Sequence, residues 1–521
     1  MGEGLHGRVA LRCVDGGWRI RDEGAASACG GKNALALERG IGALHRVQID
    51  AQDNRDLAHS GKLRAGHQHA APDRLHDLLA QLNVDGNTGV VQAQPGKHHT
   101  SIVCIHSYKL TPHADLVKKH LTKAAAITMT KYKILRLKPH EGKRVRAGAP
   151  WAFSNEITMD AAAKTLEPGS PVRLAESDGT LIGTGYFNPK SLIAVRLMGP
   201  PGAEIDRSFF TAKLRRALAL RERFYQRPYY RLVHAEGDGL PGLIVDRYGD
   251  ALVVQIGTAG MEMLTDDLLA ALDEIVAPRT MVLRNDAPSR ALEGLDSYIR
   301  VAKGDVPTRV AVEENGARYL ADLQSGQKSG WYYDQRDNRA FMAGLASGQT
   351  VLDAFCYTGG FSVLAALKGA RSVTGIDSSE PALNLAREAA AANGVEQRCE
   401  FVKADVLAEL DRRATKERFG IVICDPPPFV RARKDLESGA RAYRKLARLA
   451  ATVTAPGGFL FLTSCSHNMP HERFLSECAA GIARAGRAGA LIRDAGAGPD
   501  HPVHPQLPES AYLKALVYAL D

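Results

Sequence analysis

Five side chains suggest chemistry before anything else is known of the chain: Asp353, Asp377, Asp405, Asp425 and Cys465. Cys465 lies in FLTSCSHNM, residues 461–469, where an apolar run leads into a thiol held between two serines. A core cysteine needs no serine flanks and a disulfide cysteine needs a partner, so the rest of the chain must decide what a thiol at the end of a strand is for. Asp425 ends the apolar run of FGIVICDPPPF on a rigid Asp-Pro-Pro turn, and the fixed φ of Pro426 and Pro427 would aim its carboxyl group. Asp353 precedes the Gly359-Gly360 loop, Asp377 follows 24 residues later, and Asp405 ends a third strand pattern. Glycines let a ligand approach the backbone, and an acid about 20 residues further on can accept from ribose hydroxyls.

The elements that would position these groups are legible from Ala321 onward. TVLDAFCYTGGFSVLAALKGA reads as strand, loop and helix, SVTGIDSS as a strand, and EPALNLAREAAAANG as a helix ended by Gly394. CEFVKADV, FGIVICDPPPF and FLFLTSCS read as further strands, with YRKLARLAATVTAPGG as a helix and turn before the last. This alternation is that of a parallel α/β sheet with helices on both faces, which binds ligands at the C-terminal strand ends. A dinucleotide oxidoreductase is one candidate, but DAFCYTGGF is not G-x-G-x-x-G, and an acid at its head disfavours a pyrophosphate. The same acid suits an amine-bearing cation such as S-adenosylmethionine. Taken singly, Gly359 could merely shape a turn and Asp377 or Asp405 merely cap a helix.

The remaining chain divides unequally. Residues 1–128 hold 11 of the 17 histidines and no Phe, with Trp18 and Tyr108 the aromatics. A disordered or non-native extension is expected there, with globular sequence from Met129; His67/His69 and His98/His99 suggest metal binding, but no ordered scaffold is evident and no metal site is expected. Residues 129–203 show short strands and turns and read as a small β-barrel. Lys143, Arg144, Arg146 and Trp151 mark its entrance as an RNA surface. Residues 204–305 begin with the amphipathic RSFFTAKLRRALALRERFY and continue into a hairpin turning at Tyr248-Gly249-Asp250, a small α+β domain without catalytic groups. Residues 306–521 form the catalytic domain. The eight cysteines form neither a disulfide framework nor a CxxC metal site, as in a cytoplasmic protein. No apolar run is long enough to span a membrane, and the net charge of +9 leans toward a polyanion.

DAFCYTGGF, GIDSS, ADV, CDPPPF and LTSCS follow one another as in class I S-adenosylmethionine-dependent methyltransferases. With DLQSGQKSGWYYDQRDNR upstream, residues 131–521 resemble the bacterial large-subunit rRNA cytosine-C5 methyltransferases of the RlmI type. The resemblance implies a PUA-like RNA-binding barrel, a central α+β domain and a Rossmann-like methyltransferase domain. It implies S-adenosyl-L-methionine as cofactor and rRNA as partner, with a homodimer left open. Cofactor contacts are then expected from Gln335, Asp353, Phe355, Tyr357, Gly359, Asp377, Ser378, Asp405 and Val406. Cys465 would add to cytosine C6, making C5 nucleophilic, and Asp425 would hold the N3/N4 edge. Pro426, Pro427 and Phe429 would meet the base, and the serine flanks would leave room for it. A related 5-methylcytosine group has a second cysteine after its Asp-x-Pro; this chain has Pro428 there, and Cys424 lies inside the strand. The base that takes the C5 proton is unassigned. Two alternatives compete: methylation of an exocyclic base nitrogen at the DPPPF turn, and a non-catalytic RNA-binding protein on a methyltransferase fold.

Overall fold

The computed structural model describes residues 132–521 except 325, 327 and 328, together with the backbone of four strands nearer the N-terminus. Those four are β1 (His6–Val14), β2 (Gly17–Asp22), β3 (Val91–Gly96) and β4 (His99–Ser107), an antiparallel sheet in the order β2-β1-β4-β3. The paired histidines of this region fall outside the described side chains.

A five-stranded sheet comes next, in the order β5-β7-β8-β9-β6: β5 (Lys133–Arg136), β6 (Trp151–Ala152), β7 (Ser170–Ala175), β8 (Leu181–Phe187) and β9 (Val195–Gly199). Four of these match the strand patterns in the sequence. The two-residue β6 carries no periodicity and shows itself only through its pairing with β9. Leu135, Val172, Leu174 and Phe187 fill the interior. The central domain follows, with helix α1 (Arg207–Phe224) and strands β10 (Tyr229–His234), β11 (Leu243–Tyr248), β12 (Ala251–Ile256), β13 (Thr280–Asn285) and β14 (Tyr298–Lys303) in sequential order. The β11–β12 hairpin turns through Gly249 at φ +65°, a conformation open to glycine without strain.

The catalytic domain opens with the hairpin β15 (Val310–Glu314) and β16 (Ala317–Ala321) and helix α2 (Arg336–Gly344). Its sheet runs β19-β18-β17-β20-β21-β23-β22. The strands are β17 (Thr350–Ala354), β18 (Ser372–Asp377), β19 (Cys399–Lys403), β20 (Phe419–Cys424), β21 (Thr454–Ser464), β22 (Gly489–Ala495) and β23 (Lys514–Leu520). The first five are parallel, and β23 inserts antiparallel between β21 and β22. Helices α3 (Gly360–Leu367), α4 (Glu380–Ala392), α5 (Val406–Arg413), α6 (Leu436–Val453) and α7 (His471–Arg484) cover it. Burial on both faces explains why the strands read as continuous apolar runs. The strand order reverses between β17 and β20, so the tips carrying Asp353 and Asp425 flank the switch point where such sheets bind ligands.

Candidate active site

Three neighbouring strand tips present the acids of the cofactor motif. Asp353 is fully buried; its Oδ2 accepts from the Ser362 N–H at 2.9 Å and from the Ser362 hydroxyl at 2.6 Å. Burial raises this carboxyl to about 7, against the lowering effect of the Ser362 bonds. Its Oδ1 is buried without a hydrogen-bond partner among the described residues. Asp377 accepts from the Tyr357 N–H at 2.9 Å and the Ser379 N–H at 2.8 Å, pinning the loop after β17 to the tip of β18. Each carboxylate oxygen retains acceptor capacity beyond one such bond. Phe355 and Tyr357 take positive φ, 66° and 49°, a strained conformation for aromatic residues that the Asp377 bond helps hold. Gly359, at φ +78°, starts α3, and a Cβ there would lie 2.9 Å from that of Ala386. Asp405 is exposed and caps α5 through the Ala408 N–H at 2.9 Å. Ser378 is exposed, whereas Val406 is buried in the domain core. A row of carboxylates at these tips, with one buried acceptor still unmatched, fits a ligand bearing hydroxyls and an amine. It repels a pyrophosphate.

A second cluster occupies the tips of β20 and β21. Asp425 Oδ1 accepts from Thr463 Oγ1 at 2.6 Å and from Gln335 Nε2 at 3.0 Å. Burial raises the Asp425 carboxyl to about 6, with the Thr463 bond opposing. Gln335, expected at the cofactor, is thus engaged by Asp425, and Asn338 Nδ2 fixes its other end at 2.7 Å. Cys465 is partly exposed, with Sγ 3.9 Å from the Pro426 carbonyl oxygen. Cys424 and Cys356 are buried, and burial pushes both thiols up.

Ser464 and Ser466 are buried; both bond the Tyr443 hydroxyl, at 2.8 and 2.9 Å, and Ser466 Oγ also accepts from the Val430 N–H at 3.2 Å. They lash the cysteine turn to α6 and to the DPPPF turn. Pro426 is buried, Pro427 exposed, and Phe429 packs on Tyr443 with centroids 4.8 Å apart. Two groups at this cluster escaped the sequence reading. Thr463 sits two residues before Cys465, a strand spacing that places both on one side. Lys514 heads the apolar strand KALVYAL, and its ammonium reaches the Ser466 carbonyl at 2.7 Å.

The barrel residues are less uniform than their charges suggest. Lys143 is exposed and has no ion pair among the described residues. Arg144 instead donates to Glu509 at 2.7 Å and to the Gln506 carbonyl at 3.1 Å, joining the barrel to the catalytic domain. Arg146 pairs with Glu176 at 2.8 Å. The Trp151 indole N–H donates to Glu236 of the central domain at 2.8 Å, and Arg196 lies over its ring. Three of the four expected RNA contacts therefore serve protein contacts, two of them between domains. Among the described residues no group of metal-ligating side chains exists, and no helix is long and apolar enough to cross a membrane.

Comparison with known proteins agrees with this architecture. Residues 135–199 match the family model of a PUA-like domain, and 293–519 that of an S-adenosylmethionine-dependent methyltransferase. A Streptococcus mutans chain classed with the S-adenosylmethionine-dependent methyltransferases superposes with a TM-score of 0.63 at 22% identity, over 74% of this chain and all of that one. SMU.776, a structure complexed with SAH, gives 0.65 at 23% identity over the same shares. Fold and sequence together define an S-adenosylmethionine-dependent methyltransferase carrying a PUA-like domain. The ribosomal RNA large subunit methyltransferase I of Pseudoalteromonas atlantica is 36% identical over 387 residues, 73% of this chain and 98% of that protein. Its namesake from Aeromonas hydrophila is 37% identical over 376 residues, 71% and 94%. The chain belongs to the ribosomal RNA large subunit methyltransferase I family.

Proposed function

We propose that this protein methylates C5 of a cytosine in large-subunit rRNA, in the cytoplasm, through a transient bond between Cys465 and C6. The observation that carries the reading is the convergence of Cys465 on the Asp425 turn, with Sγ 3.9 Å from the Pro426 carbonyl and the Asp425 carboxyl raised to about 6. Relatives named for large-subunit rRNA support the substrate class. Asp377, Asp405, Tyr357 and the Gly359 loop hold the cofactor, with Asp353 ordering the loop from beneath. S-adenosylmethionine supplies, when bound, an electrophilic sulfonium methyl group.

The Cys465 thiolate gives its electron pair to C6, and the C5=C6 pair becomes available at C5. Asp425 Oδ1 already takes two donors, so its proton resides on Oδ2, from which it is donated to cytosine N3. Uracil offers an N–H at that position and is rejected. Once C5 carries the methyl group, its proton passes to solvent water, the pair returns to C5=C6 and Cys465 leaves as thiolate, while N3 returns its proton to Asp425.

RNA carrying 5-fluorocytosine at the target tests this, because fluorine cannot leave as a proton does. A denaturant-resistant adduct should form only with S-adenosylmethionine. It should vanish in Cys465→Ala and persist in Cys424→Ala and Cys356→Ala. An active enzyme that forms no adduct would overturn the covalent mechanism and favour methylation of an exocyclic nitrogen instead.

A further inference from the structure

We propose that Lys514 is a positioning residue for Cys465: its buried ammonium, clamped beside the cysteine turn, is the counter-charge that holds the sulfur as thiolate. The inference rests on Cys465 being the nucleophile. Lys514 is 6% exposed and opens β23 directly opposite Ser464 of β21, one residue before the thiol. Its Nζ donates to the Ser466 carbonyl at 2.7 Å and to the Tyr512 carbonyl at 2.9 Å. An ammonium has three donors, so one remains. No carboxylate among the described residues lies within ion-pair distance of it. Buried charges are rare unless paired, and here the group that completes the pair is the neighbouring sulfur.

Every element packed around Cys465 brings titratable groups, and they differ in kind. Tyr332 comes from the segment before α2, Tyr443 from α6 and Tyr512 from the approach to β23; burial raises all three phenols, and Cys465 adds to each rise. Asp425, at the tip of β20, opposes a second negative charge when ionised. His467 follows on the same segment and stacks on Tyr512. Lys514 is the lysine or arginine of this set. Burial lowers its pKa to about 8, and Cys465 acts on it in the opposite sense. The coupling is mutual: a thiolate that favours the ammonium is itself favoured by it.

The test is the pH dependence of Cys465 alkylation by iodoacetamide, read peptide by peptide in the full chain without RNA. In the native enzyme the Cys465 inflection should fall below that of free cysteine; an inflection at or above it overturns the proposal. Lys514→Met should raise the inflection by about one unit or more, which is roughly tenfold less thiolate at neutral pH. Relative to the native enzyme at the same pH, methyl transfer should fall by a similar factor at pH 7, and the ratio should recover as pH rises. Lys514→Arg should keep the native profile. S-adenosylmethionine binding by calorimetry reports folding; where Lys514→Met does not bind, Lys514→Gln, which keeps a donor but no charge, takes its place. An unmoved inflection in a cofactor-binding neutral variant refutes the role of Lys514 even if the 5-fluorocytosine adduct forms. Absence of that adduct removes the nucleophile reading regardless of the alkylation profile.

Discussion

Asp353 and Asp425 are both pushed toward neutrality by burial, yet their surroundings give them different duties. Asp425 shares Oδ1 between Thr463 and Gln335, and these bonds favour its ionised form. Removing one should therefore raise its pKa. If Asp425 works protonated, methyl transfer declines as pH rises through that pKa. Thr463→Val should move this alkaline limb to higher pH while Thr463→Ser leaves it in place; a limb that stays or moves down would separate Thr463 from Asp425 chemistry. Asp353 affects stability. Its folded value of about 7 lies above the unfolded value near 4. Between those limits the folded chain keeps a proton that the unfolded chain has released. The stability this confers is complete below about pH 4 and is lost as pH rises toward 7, by a few kcal/mol at most. Asp353→Asn should flatten that limb of a melting-temperature profile recorded from pH 5 to 8. Parallel profiles for the two proteins would show that Asp353 does not titrate in this window.

At the scale of elements, the loop 355–359 holds its shape because the tip of β18 fastens it twice. The Tyr357 N–H reaches Asp377 Oδ2, and Cys356 N–H reaches the Ile376 carbonyl at 3.0 Å. Asp377→Ala removes a charged acceptor, worth roughly 1.5–3 kcal/mol, and should weaken S-adenosylmethionine binding about tenfold or more by calorimetry; unchanged affinity would show the ribose role to be misplaced. Much of this element was legible in sequence, because an acid at a strand end and a glycine at a helix start are local signals. The engagement of Gln335 by Asp425 was not, since it joins residues 90 apart. The bonds of Ser464 and Ser466 were hidden for a related reason: their partner Tyr443 lies on another helix. Trp151 and Arg144 carried an RNA-like composition, but composition does not say whether a charged or aromatic side chain faces solvent or another domain. Lys514 left one signal, a cation at the head of an otherwise apolar strand, and only the register of β23 against β21 gives it meaning.

At the scale of the whole molecule, residues 132–521 are tied across their domain boundaries by specific polar contacts. Arg196 bridges Glu236 and Glu293, which also holds Asn188 and Ser191. The Tyr248 hydroxyl donates to the Ser329 carbonyl at 2.9 Å, and the Tyr333 hydroxyl to the Arg247 carbonyl at 2.8 Å, joining the central and catalytic domains. Asp500, fully buried, accepts from the Arg231 N–H at 3.0 Å while its carbonyl accepts from Arg221. These contacts make barrel, central domain and catalytic domain one interlocked body, and each lies downstream of residue 140. The Pseudoalteromonas atlantica relative is matched over 98% of its own length by 73% of this chain, and both family models match within residues 135–519. A chain beginning at Met129 should therefore fold, bind S-adenosylmethionine with unchanged affinity and methylate rRNA at the rate of the full chain. Calorimetry, melting temperature and methyl incorporation into rRNA from a strain lacking the enzyme would check the three in turn. Loss of methylation with cofactor binding intact would assign the N-terminal residues a part in RNA recognition, and loss of both would make them part of the fold.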